Sequence, residues 1–155
     1  PERVTYGLDA KTGKQLWRAA GGRESVGLSP DKNIYYVKTM VDSVYAFSTK
    51  ETYPVVKEGV VTGKVLPVKI WSADADYGYE IGPTPTTAVA GEGKNGAGLL
   101  FIATDKGDIV ALNSIDGSIA WRHRFGMALI NYVQPLGQNR ILVSSMDGFV
   151  GVLEY

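Results

Sequence analysis

Short apolar runs alternate with turn-forming residues along the whole chain, which is the pattern of antiparallel β-strands. Residues 99–103 (LLFIA) are apolar at five successive positions, so they predict a strand covered on both faces. Residues 34–37 (IYYV) are rich in β-forming side chains and are bounded by turn signals. No segment longer than ten residues carries apolar residues at helical spacing, so we expect little helix.

Three segments repeat one arrangement, a strand followed by a turn and a second strand that ends in tryptophan. Two copies are clear, at residues 6–17 (YGLDAKTGKQLW) and 110–121 (VALNSIDGSIAW), and a blurred copy runs from Tyr45 to Trp71. The tryptophans are 54 and 50 residues apart (71 − 17 and 121 − 71). Repeats of about 40 to 50 residues with several strands each are typical of β-propeller blades. The pattern therefore predicts an all-β fold of consecutive four-stranded antiparallel blades.

The blurred copy contains an insertion. The turn residue and the tryptophan are 8 positions apart in the clear copies (17 − 9 and 121 − 113) but 23 apart in the blurred one (71 − 48). The 15 additional residues (23 − 8) include Pro54, Gly59, Gly63 and Pro67. This predicts an elongated hairpin or an excursion at the outer edge of a blade.

Divided into blades, residues 1–155 form a single partial propeller. The outer strands of one blade fall at 1–20, full blades at about 24–73 and 84–124, and the inner strands of a last blade at 128–155. A propeller needs about four blades or more to close, so we expect an incomplete ring in this chain. Because the chain opens at Pro1 without a methionine, we expect a processed chain or a piece of a longer protein.

Composition removes several classes of chemistry. Lysine and arginine number 16 and so do aspartate and glutamate, so no basic excess favours nucleic acid or an anionic membrane. The absence of cysteine excludes disulfides, thiolate catalysis and zinc–thiolate sites. No run of 18 apolar residues predicts a transmembrane helix. With His123 as the only histidine, a site with two or three histidine ligands cannot form within the chain.

Four further features contain residue types that can take part in chemistry. Residues 91–96 fit G-x-G-x-x-G but lead into a strand instead of a helix, so a hairpin loop is the better interpretation than a dinucleotide site. Residues 74–80 hold three carboxylates at a spacing that fits no EF-hand, which favours a polar connection over a metal site. His123 is expected to be a packed or surface side chain. Arg122 and Arg124, on the opposite face of that strand, are expected to reach solvent or an adjacent chain.

The clear copies resemble a known family. Residues 8–17 (LDAKTGKQLW) look like the tryptophan-docking motif of quinoprotein-type β-propellers, ALDxxTGxxxW, and residues 113–121 match it with Asp116 in place of threonine. The blurred copy matches only at its ends. The family includes alcohol dehydrogenases that use pyrroloquinoline quinone. It also includes cofactor-free scaffolds, such as the lipoprotein of the outer-membrane β-barrel assembly machinery, and propellers fused to kinases or phosphoesterases.

The motif has a mechanical interpretation in which none of its residues is catalytic. Gly13 and Gly117 can adopt the positive φ of a tight turn, and the Asp9 or Asn113 side chain can cap its amides. The tryptophan is suited to docking between neighbouring blades. The predicted structural motif comprises Asp9, Thr12, Gly13, Trp17, Trp71, Asn113, Gly117 and Trp121.

The leading functional hypothesis is a non-catalytic propeller scaffold or binding module, part of a larger periplasmic or extracellular protein, with no cofactor and no metal. Its expected partner is a protein or the remaining blades of the same propeller, with a homo-oligomer as an alternative. Two rival hypotheses are the accessory propeller of an enzyme such as a phosphoesterase and a fragment of a quinoprotein dehydrogenase. Binding is expected at a rim formed by the connections between blades, at Arg23, Glu24, Tyr77, Glu80, Asn131 and Tyr132.

Overall fold

The structure, a computed structural model, describes residues 4–20, 26–38, 43–74, 89–90, 98–104, 106–137 and 139–155. Those residues contain β-strands and no helix, so none of them forms a helix that could cross a bilayer. The strands are β1 (Val4–Leu8), β2 (Gln15–Ala20), β3 (Val26–Leu28), β4 (Ile34–Lys38), β5 (Ser43–Lys57), β6 (Val60–Asp74), β7 (Val89–Ala90), β8 (Leu99–Ala103), β9 (Asp108–Asn113), β10 (Ile119–Arg124), β11 (Ile130–Gly137), β12 (Arg140–Ser145) and β13 (Val150–Glu154).

The strands form four antiparallel sheets in which sequence neighbours pair. The first sheet is β1–β2, the second β3–β4–β5–β6, the third β7–β8–β9–β10 and the fourth β11–β12–β13. The second and third sheets are complete four-stranded meanders, and the first and fourth are partial ones. This confirms the prediction of an all-β fold made of propeller blades that do not close a ring within this chain.

The sheets stack face to face, and strand alternation divides the core between the faces. Along β8, Leu100 and Ile102 pack against the second sheet, whereas Leu99, Phe101 and Ala103 pack against the fourth. All five side chains are buried. The apolar run at 99–103 is therefore a strand covered on both faces, as its sequence predicts.

A third core cluster joins the first and second sheets. Ala19 of β2 is buried beside Tyr35, Val37 and Phe47 of the second sheet, and Trp17 packs against this group. The hydroxyl of Tyr35 is buried without a hydrogen-bond partner among the residues described, and burial raises its pKa well above the ordinary value. Apolar and aromatic contacts join this pair of sheets.

The insertion forms an elongated hairpin, one of the two predicted alternatives. β5 and β6 run for 15 residues each and turn at Glu58 and Gly59, whose φ values are 52° and 80°. Two successive residues with positive φ define a type I′ turn, whose twist suits a two-residue hairpin loop. Residues 49–69, which we call the long hairpin, extend both strands beyond the length of the other blades.

Candidate functional site

The first motif turn is closed by the Asp9 carboxylate. Its Oδ1 accepts hydrogen bonds from the Lys11 amide (3.0 Å), the Thr12 amide (2.7 Å) and the Thr12 hydroxyl (2.8 Å). These donors stabilise the ionised form, so the Thr12 bonds, followed by that of Lys11, lower the pKa of Asp9. The Gly13 amide donates to the Asp9 carbonyl at 2.8 Å, with the φ of Gly13 at 69°. Asp9, Thr12 and Gly13 thus form one turn.

The turn at 113–117 has the same backbone geometry with different side-chain bonds. The Gly117 amide donates to the Asn113 carbonyl at 2.8 Å, and the φ of Gly117 is 73°. The Asn113 side-chain amide donates to the Ser118 hydroxyl at 2.9 Å, while Asp116 accepts the Ser118 amide at 2.9 Å and its hydroxyl at 2.6 Å. Asp116 stands at the position of the family's threonine, and it accepts its hydrogen bonds from Ser118.

The blurred copy retains the cap but not the turn. Ser48 Oγ accepts the amides of Lys50 (3.1 Å) and Glu51 (2.9 Å), two and three residues ahead, as Asp9 does. Thr52 stands where Gly117 stands in the clear copy, four residues after the cap, and there the chain continues into the long hairpin. This blade consequently offers no glycine turn to its neighbour.

Trp71 docks on the next sheet. Its Nε1 donates to the Ser114 carbonyl at 3.0 Å, and the Tyr36 hydroxyl donates to the same oxygen at 3.3 Å. A Cβ at Gly117 would lie 2.6 Å from the Trp71 ring, so only glycine fits beneath the indole. Trp71 is 9% exposed, and its placement links the second sheet to the third.

The other two tryptophans rest on different platforms. Trp17 stacks on Tyr35 of the second sheet, with centroids 5.1 Å apart and planes 9° apart, and it covers Gly7, where a Cβ would lie 2.2 Å from the ring. Trp121 packs against Phe101 at 5.9 Å and Tyr155 at 5.7 Å. Its Nε1 is buried and has no hydrogen-bond partner within the part of the chain that the structure describes. Of the three tryptophans, Trp71 both covers the glycine of the next sheet's turn and donates a hydrogen bond to that turn.

A β-bulge precedes every motif tryptophan, and sequence reasoning missed it. Gln15 pairs with Leu8 and Trp17 with Gly7, which leaves Leu16 as the additional residue. The register shifts in the same way at Ile70 in β6 and at Ala120 in β10. Bulges re-aim the side chains that follow them.

The residue paired with each tryptophan is small. Trp17 lies opposite Gly7, Trp71 opposite Ala46 and Trp121 opposite Ala111. A small residue two positions before the turn residue is visible in all three copies of the sequence, so this signal was available.

An aspartate that the sequence did not single out organises the outer edge of the third sheet. Asp108, which is 3% exposed, accepts hydrogen bonds from Arg124 at 3.0 and 2.8 Å and from Arg122 at 3.0 Å. Burial raises the pKa of Asp108, but the hydrogen bonds and charges of the two arginines outweigh it and leave the pKa below its ordinary value. Arg122 and Arg124 therefore bind within their own sheet while remaining partly exposed, and no adjacent chain is needed to pair them.

Two of the six predicted rim residues lie in the described part of the chain. Asn131 and Tyr132 fall inside β11, not before it; Asn131 Oδ1 accepts the Ser144 hydroxyl at 2.7 Å, and the Tyr132 hydroxyl bonds to Gln134. The other four, Arg23, Glu24, Tyr77 and Glu80, lie outside the described residues, as do residues 75–80 of the acidic segment and the glycine-rich residues 91–96. No group of three or more His, Cys, Asp or Glu side chains is placed to hold a metal among the residues described.

The two end sheets expose apolar faces that the inner sheets bury. The Ser114 amide donates to the Gly98 carbonyl and the Tyr155 amide to the Asn139 carbonyl, which aligns the third and fourth sheets residue by residue. Val150 and Val152 then occupy the positions of Ile109 and Ala111. The valines are 63% and 55% exposed, whereas Ile109 and Ala111 are both fully buried.

The first sheet also exposes an apolar face, at the opposite end of the set of sheets. Tyr6, Leu8 and Leu16 are 52%, 59% and 51% exposed on this sheet. Tyr6 and Leu8 align with Val110 and Leu112, both of which the second sheet buries. We call these two surfaces the end faces.

Solved structures similar to this chain are β-propellers. BamB from Moraxella catarrhalis superposes on 97% of this chain with a TM-score of 0.60 at 15% identity, and the chain spans 39% of that protein. Regucalcin, a calcium-binding protein from Agrobacterium tumefaciens strain C58, covers 90% of this chain with a TM-score of 0.51 at 15% identity, and the chain spans 43% of it. No protein-family model and no curated protein matches the sequence. At this identity the likeness shows the fold alone, a set of β-propeller blades.

Proposed function

We propose that this chain is a non-catalytic β-propeller module that binds protein, either the remaining blades of its own propeller or a separate partner, within a larger periplasmic or extracellular protein. The observation that carries the proposal is the pair of end faces. Val150 and Val152 are more than half exposed at positions where Ile109 and Ala111 are buried against a neighbouring sheet. A β-sheet face of this kind favours another sheet as its cover.

The motif residues support a scaffold over an enzyme. Asp9 and Thr12 are used in a turn, Trp71 in docking, and Asp108 in an ion-pair cluster within its sheet. The location outside the cytoplasm rests on the resemblance to quinoprotein-type propellers.

The test is self-association of the whole chain, measured by size-exclusion chromatography with light scattering over a range of concentrations. We expect the wild type to form dimers or larger species through its end faces. Replacing Val150 and Val152 with aspartate should reduce this association. A matched variant with aspartate at Val60 and Val61, exposed valines of the long hairpin, should associate as the wild type does. A stable monomer for all three proteins would contradict the proposal.

The dehydrogenase alternative has its own measurement. A quinoprotein dehydrogenase stacks its quinone on an indole and places calcium and a carboxylate nearby, and we expect no such binding here. Titration of pyrroloquinoline quinone with calcium should leave the tryptophan fluorescence unchanged. Saturable quenching at micromolar quinone, with reduction of a dye in the presence of an alcohol, would favour the dehydrogenase over the scaffold.

The other alternative is an accessory propeller of an enzyme. It would use the same end faces, with its catalytic residues in another domain.

A further inference from the structure

We propose a second binding site on this chain, a groove along the free edge of β2 that takes an extended acidic peptide by β-strand addition. The inference rests on the proposed function, since it names one kind of protein partner. The groove includes Tyr6 and Leu16 of the end face on the first sheet, but it does not include Val150 and Val152 of the fourth sheet, which are tested above.

The groove lies between β2 and the long hairpin. One cavity of about 380 Å³ touches four successive residues of β2, Gln15 to Arg18, and faces Val65 and Leu66 across it. The cavity also touches Tyr6 of β1, and the bulge at Leu16 re-aims the side chains of β2 that follow it. β2 pairs with β1 on one side, and among the described residues no strand forms a ladder with its other side.

The long hairpin supplies the opposite wall. β6 approaches β2 without pairing with it, and a second cavity of about 240 Å³ continues the groove past Leu66, which lines both. This second part is bounded by Tyr45, Tyr53 and Pro67. The groove therefore exists because of the insertion in this blade, which provides an apolar and aromatic wall above an open strand edge.

The charge of the lining selects the occupant. Arg18, Lys64 and Lys69 line the two cavities, and no aspartate or glutamate lines either one in the described part of the chain. Lys69 Nζ lies 5.1 Å from the centroid of the Tyr45 ring, which places an ammonium group inside the groove. On a chain of zero formal charge, the ammonium groups of Lys64 and Lys69 complement carboxylates.

The two features together define the ligand. A strand edge forms main-chain hydrogen bonds with the peptide, and the apolar wall contacts every second side chain. The cationic side chains pair with the acidic side chains of the peptide. An extended segment in which acidic and apolar residues alternate satisfies all three requirements.

Fluorescence anisotropy of a labelled seven-residue peptide of alternating glutamate and valine tests the site on the whole chain. We expect saturable binding that weakens as salt is raised, because exposed charges are screened. Reversing Lys64 and Lys69 to glutamate should weaken binding by about tenfold or more at low salt. The matched control reverses Lys32 and Lys106, exposed lysines of other turns, and should bind as the wild type does.

Two further peptides decide the mode of binding. A peptide with lysine in place of glutamate should bind at least about tenfold more weakly. A peptide with the same side chains but N-methylated at alternate amides should also lose binding, because its edge cannot form a ladder. Equal binding of either peptide, or no binding of the first peptide to a folded wild type, would overturn the inference. Because the end-face valines lie outside the groove, loss of peptide binding with unchanged self-association would leave the proposed function standing.

Discussion

The two clear motif turns have the same backbone and different surroundings. In each, the amide of the glycine donates to the carbonyl of the turn residue at 2.8 Å, and φ is 69° at Gly13 and 73° at Gly117. Gly117 lies beneath Trp71, whereas a Cβ at Gly13 would meet no atom of the described residues within 4 Å. The turn is therefore a local structure that forms whether or not a neighbour covers it. Docking is a separate interaction that adds a requirement for glycine in the covered copy alone.

The largest effect is expected from removing the docked indole. Trp71→Ala should lower the free energy of unfolding by about 3–5 kcal/mol, because it deletes a buried side chain and its hydrogen bond to Ser114. Chemical denaturation monitored by far-UV circular dichroism measures this. An unchanged midpoint would show that the covered turn gains nothing from its neighbour.

Trp121→Ala should cost less than Trp71→Ala, about 3 kcal/mol, since Trp121 is partly exposed and its Nε1 has no protein partner among the described residues. The same denaturation experiment compares the two variants, with Lys106→Ala as an exposed control expected to stay within about 0.5 kcal/mol of the wild type. A larger loss at Trp121 than at Trp71 would reverse our ranking of the two platforms.

The two glycines separate backbone strain from docking. Gly13→Ala should cost about 1–2 kcal/mol, because alanine disfavours positive φ. Gly117→Ala carries that same penalty and forces the Trp71 ring to move, for about 1–3 kcal/mol more. Both variants are compared by their denaturation midpoints. Equal losses would mean that the indole does not rest on Gly117.

The smallest effect concerns the uncovered turn. The Thr12 and Lys11 bonds lower the pKa of Asp9, so its contribution to stability is present above the ordinary pKa of about 3.9 and is lost as the pH falls through the lowered value. Asp9→Asn should therefore flatten part of the decline in stability below pH ~4. Acid titration of both proteins by circular dichroism provides the measurement, and identical acid profiles would show that the carboxylate cap does not contribute.

The sequence predicted correctly those features that depend on local residue types. The five apolar residues of β8 are covered on both faces, and Gly13 and Gly117 have the positive φ that a tight turn requires. These features depend on periodicity and on backbone conformation, both of which can be inferred from the chain alone.

The same reasoning failed where distant strands set the geometry. The bulges at Leu16, Ile70 and Ala120 depend on cross-strand register, which no single strand records. The Asp108 cluster depends on the antiparallel arrangement that brings the start of β9 to the end of β10. The groove beside β2 requires knowledge of where the long hairpin lies relative to β2, whereas the sequence predicted only an elongated hairpin or an excursion at the outer edge of a blade.

The bulge before each tryptophan gives these strands an unusual response to changes in length. The bulge absorbs one residue, so Gln15 and Trp17, two positions apart, pair with the adjacent residues Leu8 and Gly7. Deleting only Leu16, Ile70 or Ala120 would therefore remove the bulge and leave each tryptophan opposite its small partner, on the same face of the sheet. Additions at the tip of the long hairpin would likewise leave the pairing of Trp71 with Ala46 intact. The bulge thus makes the position of each indole independent of one residue of strand length.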